Sequence, residues 1–151
     1  MAESDTGRVV AIGIDGSAYA EQAFDWYMDN IRRENDRLVL IHVPETYDLH
    51  LASPGVVQQL LNELECKVKA IEDKYKGKVD GKIQGKFRTG SGKPGEVIVK
   101  IRQEEKAGMI VTGTRGQGKF RRTVMGSVSD YIVHHAHVPV LVCRQEKDLK
   151  A

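Results

Sequence analysis

The chain has 151 residues, 40% hydrophobic and 29% charged, with a formal net charge of +2. That is the length of one domain with enough apolar content for a sizeable core, and no apolar run approaches membrane-spanning length. The small net charge announces no nucleic-acid or membrane partner, and two cysteines, Cys66 and Cys143, make no disulfide framework, so a reducing, cytoplasmic setting is expected, with a nuclear one left open.

Residues 1–7 open with a polar, acidic stretch that does not read as a signal peptide and is expected to be disordered. Val9 to Ile14 is a continuous branched apolar run, the pattern of a strand buried on both faces of a parallel sheet. Asp15-Gly16-Ser17 breaks it, and Ala20, Ala23, Phe24, Tyr27, Met28 and Ile31 then recur at helical spacing, predicting a helix over about 18–33 with Ser17 as N-cap. Arg37 to Val43 is a second buried strand. After an irregular stretch, Pro54 takes the first helical position of a long amphipathic helix carrying Val57, Leu60, Leu61, Leu64, Val68, Ile71 and Tyr75, expected to stop before Gly77. Lys82 to Thr89 alternates polar and apolar, as an exposed edge strand does.

Pro94 opens a third helix with Val97, Ile98 and Ile101 inward, and Gly108 stands where a C-terminal glycine cap is expected. Met109 to Thr112 is a fourth strand. A last helix carries Val128, Tyr131, Ile132 and His135, and Val138 to Cys143 is a fifth strand that Pro139 places at or near an edge. Gln145 to Ala151 is a charged tail expected to fray. Alternating strands and helices in one domain over 8–144 imply an α/β fold with a doubly wound, mostly parallel sheet. Ligands of such sheets bind beyond the carboxyl ends of the strands, where the strand order reverses. Gly13, Ile14 and Asp15, then Val43, then Thr112 and Gly113 all fall at such ends.

The stretch from Gly113 to Ser127 is the strongest chemical signal. It joins the fourth strand to the last helix, and no residue from Lys106 to Ser129 is acidic, while Lys106, Arg115, Lys119, Arg121 and Arg122 are basic. Backbone N–H groups, cations and a helix N-terminus together suit a phosphate. Two look-alike motifs fail. Gly113 to Lys119 nearly spells a Walker A loop, but Phe120 replaces the magnesium-binding hydroxyl and the loop follows the wrong strand. Gly90 to Gly95 matches G-x-G-x-x-G, yet it follows an edge strand and lacks the acidic partner, so a plain loop feeding a proline-started helix is the better account.

Gly113-x-x-Gly116, nine residues, then Gly126-Ser127 is a more specific pattern. With the strand ending in Asp15, Val43 at the end of the second strand, Gly92-x-Pro94, and His135-x-x-Val138-Pro139-Val140-Leu141-Val142, it resembles the nucleotide-binding branch of the universal stress protein family. Gly108 departs from that pattern, in which an acidic residue often stands before the fourth strand. The resemblance implies a five-stranded parallel sheet in the order 3-2-1-4-5, with helices on both faces and ATP at the switch point; magnesium, where present, is expected to be carried by the ATP phosphates. It implies Asp15 near the ribose and the backbone of Val43 at adenine. Gly113, Arg115 and Gly116 would wrap phosphates and ribose, and Gly126, Ser127, Val128 and Ser129 would hold phosphates at the last helix. Gly13, Ile14 and Thr112 complete the expected site. A homodimer through Val140, Leu141 and Val142 is implied too, and the edge-strand reading independently favours it.

Plainer roles stand beside these. Ser127 with Asp130 fits a capping box, Asp15 suits a turn, Gly113 suits a bare turn, and Arg121 and Arg122 suit a solvated loop face. His134, His135 and His137 lack the Cys or carboxylate company of a zinc site. The lysine-rich stretch from Lys67 to Arg88 is interleaved with acids up to Asp80 and has no stacking platform, so a solvated face is expected rather than nucleic-acid binding. As a function, a nucleotide-dependent stress regulator leads. A slow ATPase follows, because only Asp15 and Asp130 offer carboxylates near the loop. A flavodoxin-like FMN carrier comes last, since Asp15 to Tyr19 is poor in hydroxyls for its phosphate loop.

Overall fold

The computed structural model describes residues 7–44, 50–114 and 126–144. The chain alternates β1 (Val9–Gly13), α1 (Ala18–Asn30), β2 (Arg37–His42), α2 (Pro54–Val79), β3 (Gln84–Thr89), α3 (Pro94–Glu105), β4 (Met109–Gly113), α4 (Ser127–His135) and β5 (Val140–Cys143). Every strand pair is parallel, in the order β3-β2-β1-β4-β5. The first three strands wind outward in one direction. The crossover through α3 then carries the chain back past β1, so β1 and β4 meet where the direction reverses.

Strand alternation sorts the apolar residues into two cores. Val10, Ile12, Leu38, Leu40 and Val111 face α1 and α2, where they meet Phe24, Tyr27, Tyr75 and Val79. Ala11, Val39, Ile41 and Ile110 face α3 and α4, where they meet Val97, Ile98, Ile101 and Ile132. This two-sided burial is why β1 and β2 read as unbroken apolar runs. Each fully buried branched side chain contributes about 1.5–3 kcal/mol.

Helix starts follow the local chemistry. The Ser17 hydroxyl accepts the Ala20 N–H at 3.2 Å, and Ser53 accepts that of Val56 at 3.4 Å, with Pro54 and Pro94 in their first turns. Helix ends depart from the expectation. α1 closes at Asn30 rather than Arg33, and α2 runs through Gly77 to Val79. Tyr75 and Val79 are the buried residues of α2, and seating them outweighs a helical glycine's cost of about 1 kcal/mol. Gly108 does not cap α3. Lys106 takes the left-handed turn at φ 57°, and the Gly108 N–H joins the sheet at the Val9 carbonyl. β3 starts at Gln84 rather than Lys82, because Lys82 and Ile83 turn back onto Val79. β5 starts at Val140, just after Pro139, and it and β3 are the two edges, as expected.

Below the sheet, Asp36 ties α1 to β2. Its buried carboxylate accepts from Arg8 Nε at 2.8 Å, Arg8 Nη2 at 3.1 Å, the Arg33 N–H at 3.0 Å and the Tyr27 hydroxyl. Burial alone would raise its pKa, but the bonds from Arg8, Tyr27 and the Arg33 amide outweigh it and hold the carboxyl below its ordinary value.

Candidate functional site at the strand carboxyl ends

A cavity of about 210 Å³ opens at the carboxyl ends of β1, β2 and β4. Of the expected residues, Gly13, Ile14, Asp15, Val43, Thr112, Gly113, Val128 and Ser129 line it. Sequence reasoning missed Ala20, Ile41, His42, Pro94 and Ile98, which line it too. Gly126 and Ser127 start α4 beside the cavity but are not part of its wall. Arg115 and Gly116 lie outside the described residues, as do Lys119, Arg121, Arg122 and the two termini.

Asp15 sits one turn before α1, and its Oδ1 accepts the Ser17 N–H at 2.7 Å. The carboxylate therefore orders the turn that positions the Ser17 cap, which is the plainer role expected of it. It is also the one charged side chain among the described residues of the cavity wall. Its structural duty and its place in the wall coexist.

The glycines of β1 and β4 are there for packing rather than for a special backbone angle. A methyl group on Gly113 would lie 2.8 Å from the Tyr19 carbonyl oxygen, so α1 approaches β4 over a bare backbone. One on Gly13 would lie 3.2 Å from Ile98 Cδ1. Neither glycine has a positive φ.

The start of α4 differs from the expected capping box. Gly126, at φ −67° and ψ 165°, is the N-cap, and Ser127 is already helical with no side-chain cap bond. The Gly126 N–H is itself engaged, donating to the Thr114 carbonyl at 2.6 Å. The Ser129 hydroxyl, 1% exposed, donates to the same carbonyl at 2.9 Å. Thr114 and Gly126 are thereby clamped together, which engages the Gly126 amide and the Ser129 hydroxyl within the protein. What remains is the N–H groups of Ser127, Val128 and Ser129, which lie in the first turn of α4 and have no intrahelical acceptor. They sit at the positive end of the helix dipole.

The remaining sequence features take the following places. Gly95 lets α3 close on Tyr131, whose Cδ1 would be 2.8 Å from an added methyl, and Gly92 turns at φ +126° before Pro94. His135 stacks on Tyr131 at 4.0 Å between ring centroids, and His134 lies 3.5 Å from Asp130. Among the described residues no three His, Cys, Asp or Glu side chains converge on a metal position. The lysine-rich surface is largely ion-paired: Lys74 and Lys78 meet Glu21 and Asp25, and Lys86 and Arg88 meet Glu104 and Glu105.

A sequence model of the universal stress protein family matches residues 7–144. The chain belongs to the universal stress protein family. A putative universal stress protein of Staphylococcus aureus (strain USA300) is 31% identical over 154 residues, covering 94% of this chain and 87% of its own. Among solved structures, universal stress protein UspA from Lactobacillus plantarum superposes with a TM-score of 0.75 at 22% identity, over 91% of this chain and 97% of that one. A universal stress protein family protein from Arabidopsis thaliana, solved with AMP bound, gives 0.72 at 20% identity, over 96% of each chain. These likenesses establish the universal stress protein fold with its 3-2-1-4-5 sheet. Among the described residues, no helix of this universal stress protein is long and apolar enough to cross a membrane.

Proposed function

We propose that this universal stress protein binds an adenine nucleotide, with ATP the expected ligand, in the cavity between the ends of β1 and β4. It would serve as a nucleotide-dependent regulator of a stress response. The observation that carries the reading is the pairing of that cavity with the first-turn amides of α4, which no described residue engages. The amides replace water around phosphate oxygens without a charged side chain. Ile41, Val43, Pro94 and Ile98 add to the wall the apolar lining that suits a base. Asp15, in the same wall, is assigned to the ribose hydroxyls by family resemblance. Arg115 and Gly116 are assigned to the phosphates by family resemblance. The AMP carried by the Arabidopsis protein supports the ligand class.

Magnesium, if it accompanies ATP, would be held by phosphate oxygens with Asp15 as the nearest carboxylate in the described wall. One Asp15 oxygen is already bound to the Ser17 amide, which leaves a poor general base and makes fast hydrolysis unexpected. Edge pairing of Val140, Leu141 and Val142 with a second copy is proposed as the dimer contact.

The test is a thermal-shift panel of ATP, AMP and FMN on the wild type and Gly126→Val. Valine adopts the backbone angles of Gly126, and its branched side chain is expected to crowd the approach to the α4 amides; circular dichroism of the ligand-free variant checks that it is folded. ATP should raise the wild-type midpoint, by about 2.7 kcal/mol of stability at a hundredfold excess over Kd. FMN should do little, and the variant should lose the ATP response. Indifference of the wild type to both ATP and AMP overturns the reading.

A further inference from the structure

The outer surface of α1 carries a hollow that the nucleotide reading leaves unused. It holds about 390 Å³ and is lined by Ala18, Glu21, Gln22, Asp25, Trp26 and Asp29. These residues recur at helical spacing, so they form one stripe, turned away from the buried Ala20, Ala23, Phe24 and Tyr27. Trp26 is 42% exposed and is the only tryptophan of the chain. Three carboxylates, Glu21, Asp25 and Asp29, stand on α1, and no lysine or arginine does. Glu21 and Asp25 meet Lys74 and Lys78 of α2. Asp29 has no ion pair among the described residues.

Gln22 shows what enters this stripe. Its Nε2 donates to the Arg144 carbonyl at 3.1 Å, which ties the residue after β5 to α1. Its Oε1 is buried and has no hydrogen-bond partner among the described residues. A buried amide oxygen ordinarily has one, and the backbone N–H groups that come next along the chain are those after Arg144. Gln145 to Ala151 lie outside the described residues. In an extended chain, alternation puts Lys147 and Leu149 on one side and Glu146 and Asp148 on the other. The first side offers a cation and an apolar group, the complement of carboxylates beside an indole. Lys147 and Leu149 can reach up to about 10 Å and 16 Å past Arg144. From Gln22 the helix rises only about 6 Å to Trp26 and about 10 Å to Asp29. We propose that the segment after Arg144 docks along this stripe, with Lys147 against Asp25 and Asp29 and Leu149 on the Trp26 ring. Covering the indole removes apolar surface from water, and the exposed ion pairs add a smaller, salt-sensitive attraction. Glu146 and Asp148 face solvent, and a backbone N–H of the segment completes the bonding of Gln22. A charged tail that would otherwise fray is thus tied down along α1.

Trp26 reports on this contact directly, because no other tryptophan contributes to the emission. The full chain is compared with Leu149→Ser, Lys147→Glu and Glu146→Gln by emission maximum and acrylamide quenching, at low and high protein concentration. Leu149→Ser and Lys147→Glu should each shift the emission to the red and raise the quenching constant. High salt should move the wild type toward Lys147→Glu. Glu146→Gln, on the solvent side, should match the wild type, and none of these results should depend on concentration. Far-UV circular dichroism checks that each variant is folded. Identical emission and quenching in the wild type, Leu149→Ser and Lys147→Glu overturns the proposal. So does a response to Glu146→Gln as large as that to Leu149→Ser. Protection of Trp26 that grows with concentration and survives both substitutions assigns the stripe to a second copy of the chain and overturns it too.

Discussion

Replacing Gly113 by alanine sets a methyl group 2.8 Å from the Tyr19 carbonyl oxygen, 2.9 Å from its carbonyl carbon and 3.2 Å from its Cβ. Two of these atoms are backbone in the first turn of α1, so no side-chain rotation relieves the contact. The first turn must retreat by about 0.5 Å to reach ordinary van der Waals separation. Its position is held by the Asp15–Ser17 turn, the Ser17 cap and the burial of Ala20, Ala23 and Phe24. Overpacking of this kind costs about 1–3 kcal/mol. For a domain of this size each kcal/mol lowers Tm by about 2–4 °C. Urea denaturation followed by circular dichroism measures the loss. Gly108→Ala is the control, because no atom lies within 4 Å of its added methyl and its φ is not positive. That variant should be neutral or stabilised by up to about 1 kcal/mol through the unfolded chain. If Gly113→Ala is as stable as Gly108→Ala, the packing account of Gly113 is wrong. Should it keep its stability and lose its ATP response, the glycine serves the ligand directly.

Two further predictions concern the base of the sheet and its edge. Asp36→Asn breaks a buried pair with Arg8 and should cost about 3 kcal/mol at neutral pH. Because the folded-state pKa of Asp36 lies below its unfolded value, its contribution is complete above the ordinary carboxylate range near pH 4 and drains as pH falls through the folded-state pKa. The gap between wild type and variant in urea midpoint should therefore shrink toward pH 3, and a gap constant from pH 7 to pH 3 contradicts the ionised assignment. At the edge, sedimentation analysis should find a dimer that Leu141→Lys converts to monomer, and a wild type that is monomeric across the micromolar range argues against the β5 contact.

The fold was readable because its signals were redundant. Val9 to Ile14 and Arg37 to His42 carry apolar side chains toward both faces, which only a covered parallel strand allows, and Ser17, Pro54 and Pro94 mark helix starts through local bonds and fixed φ. Helix ends were less legible. Gly77 and Gly108 look like stops, but Tyr75 and Val79 have a core to fill beyond one, and the other sits too late, after Lys106 has turned. These outcomes depend on partners distant in sequence.

The site divides in the same way. Asp15, Val43 and Gly113 stood out as punctuation after apolar runs, and they do meet around one cavity. What sequence could not reveal is which donors the protein uses itself. Ser127 beside Asp130 spells a capping box, yet Gly126 occupies the cap, and Ser129, an unremarked serine, closes the clamp with Thr114. His42 had one visible signal, a polar residue at the end of a buried strand. Its ring meets the carbonyl of Ile14, 28 residues earlier, at 3.1 Å.

The most direct measurement of the central claim is an ATP titration of the ¹⁵N-labelled protein followed by amide chemical shifts. Saturable movement of the Ser127, Val128 and Ser129 resonances, together with Asp15 and Val43, is the predicted result, with the exposed α2 amides around Glu63 and Glu65 unmoved. A spectrum in which ATP leaves the α4 amides in place, or perturbs only residues remote from the cavity, contradicts it.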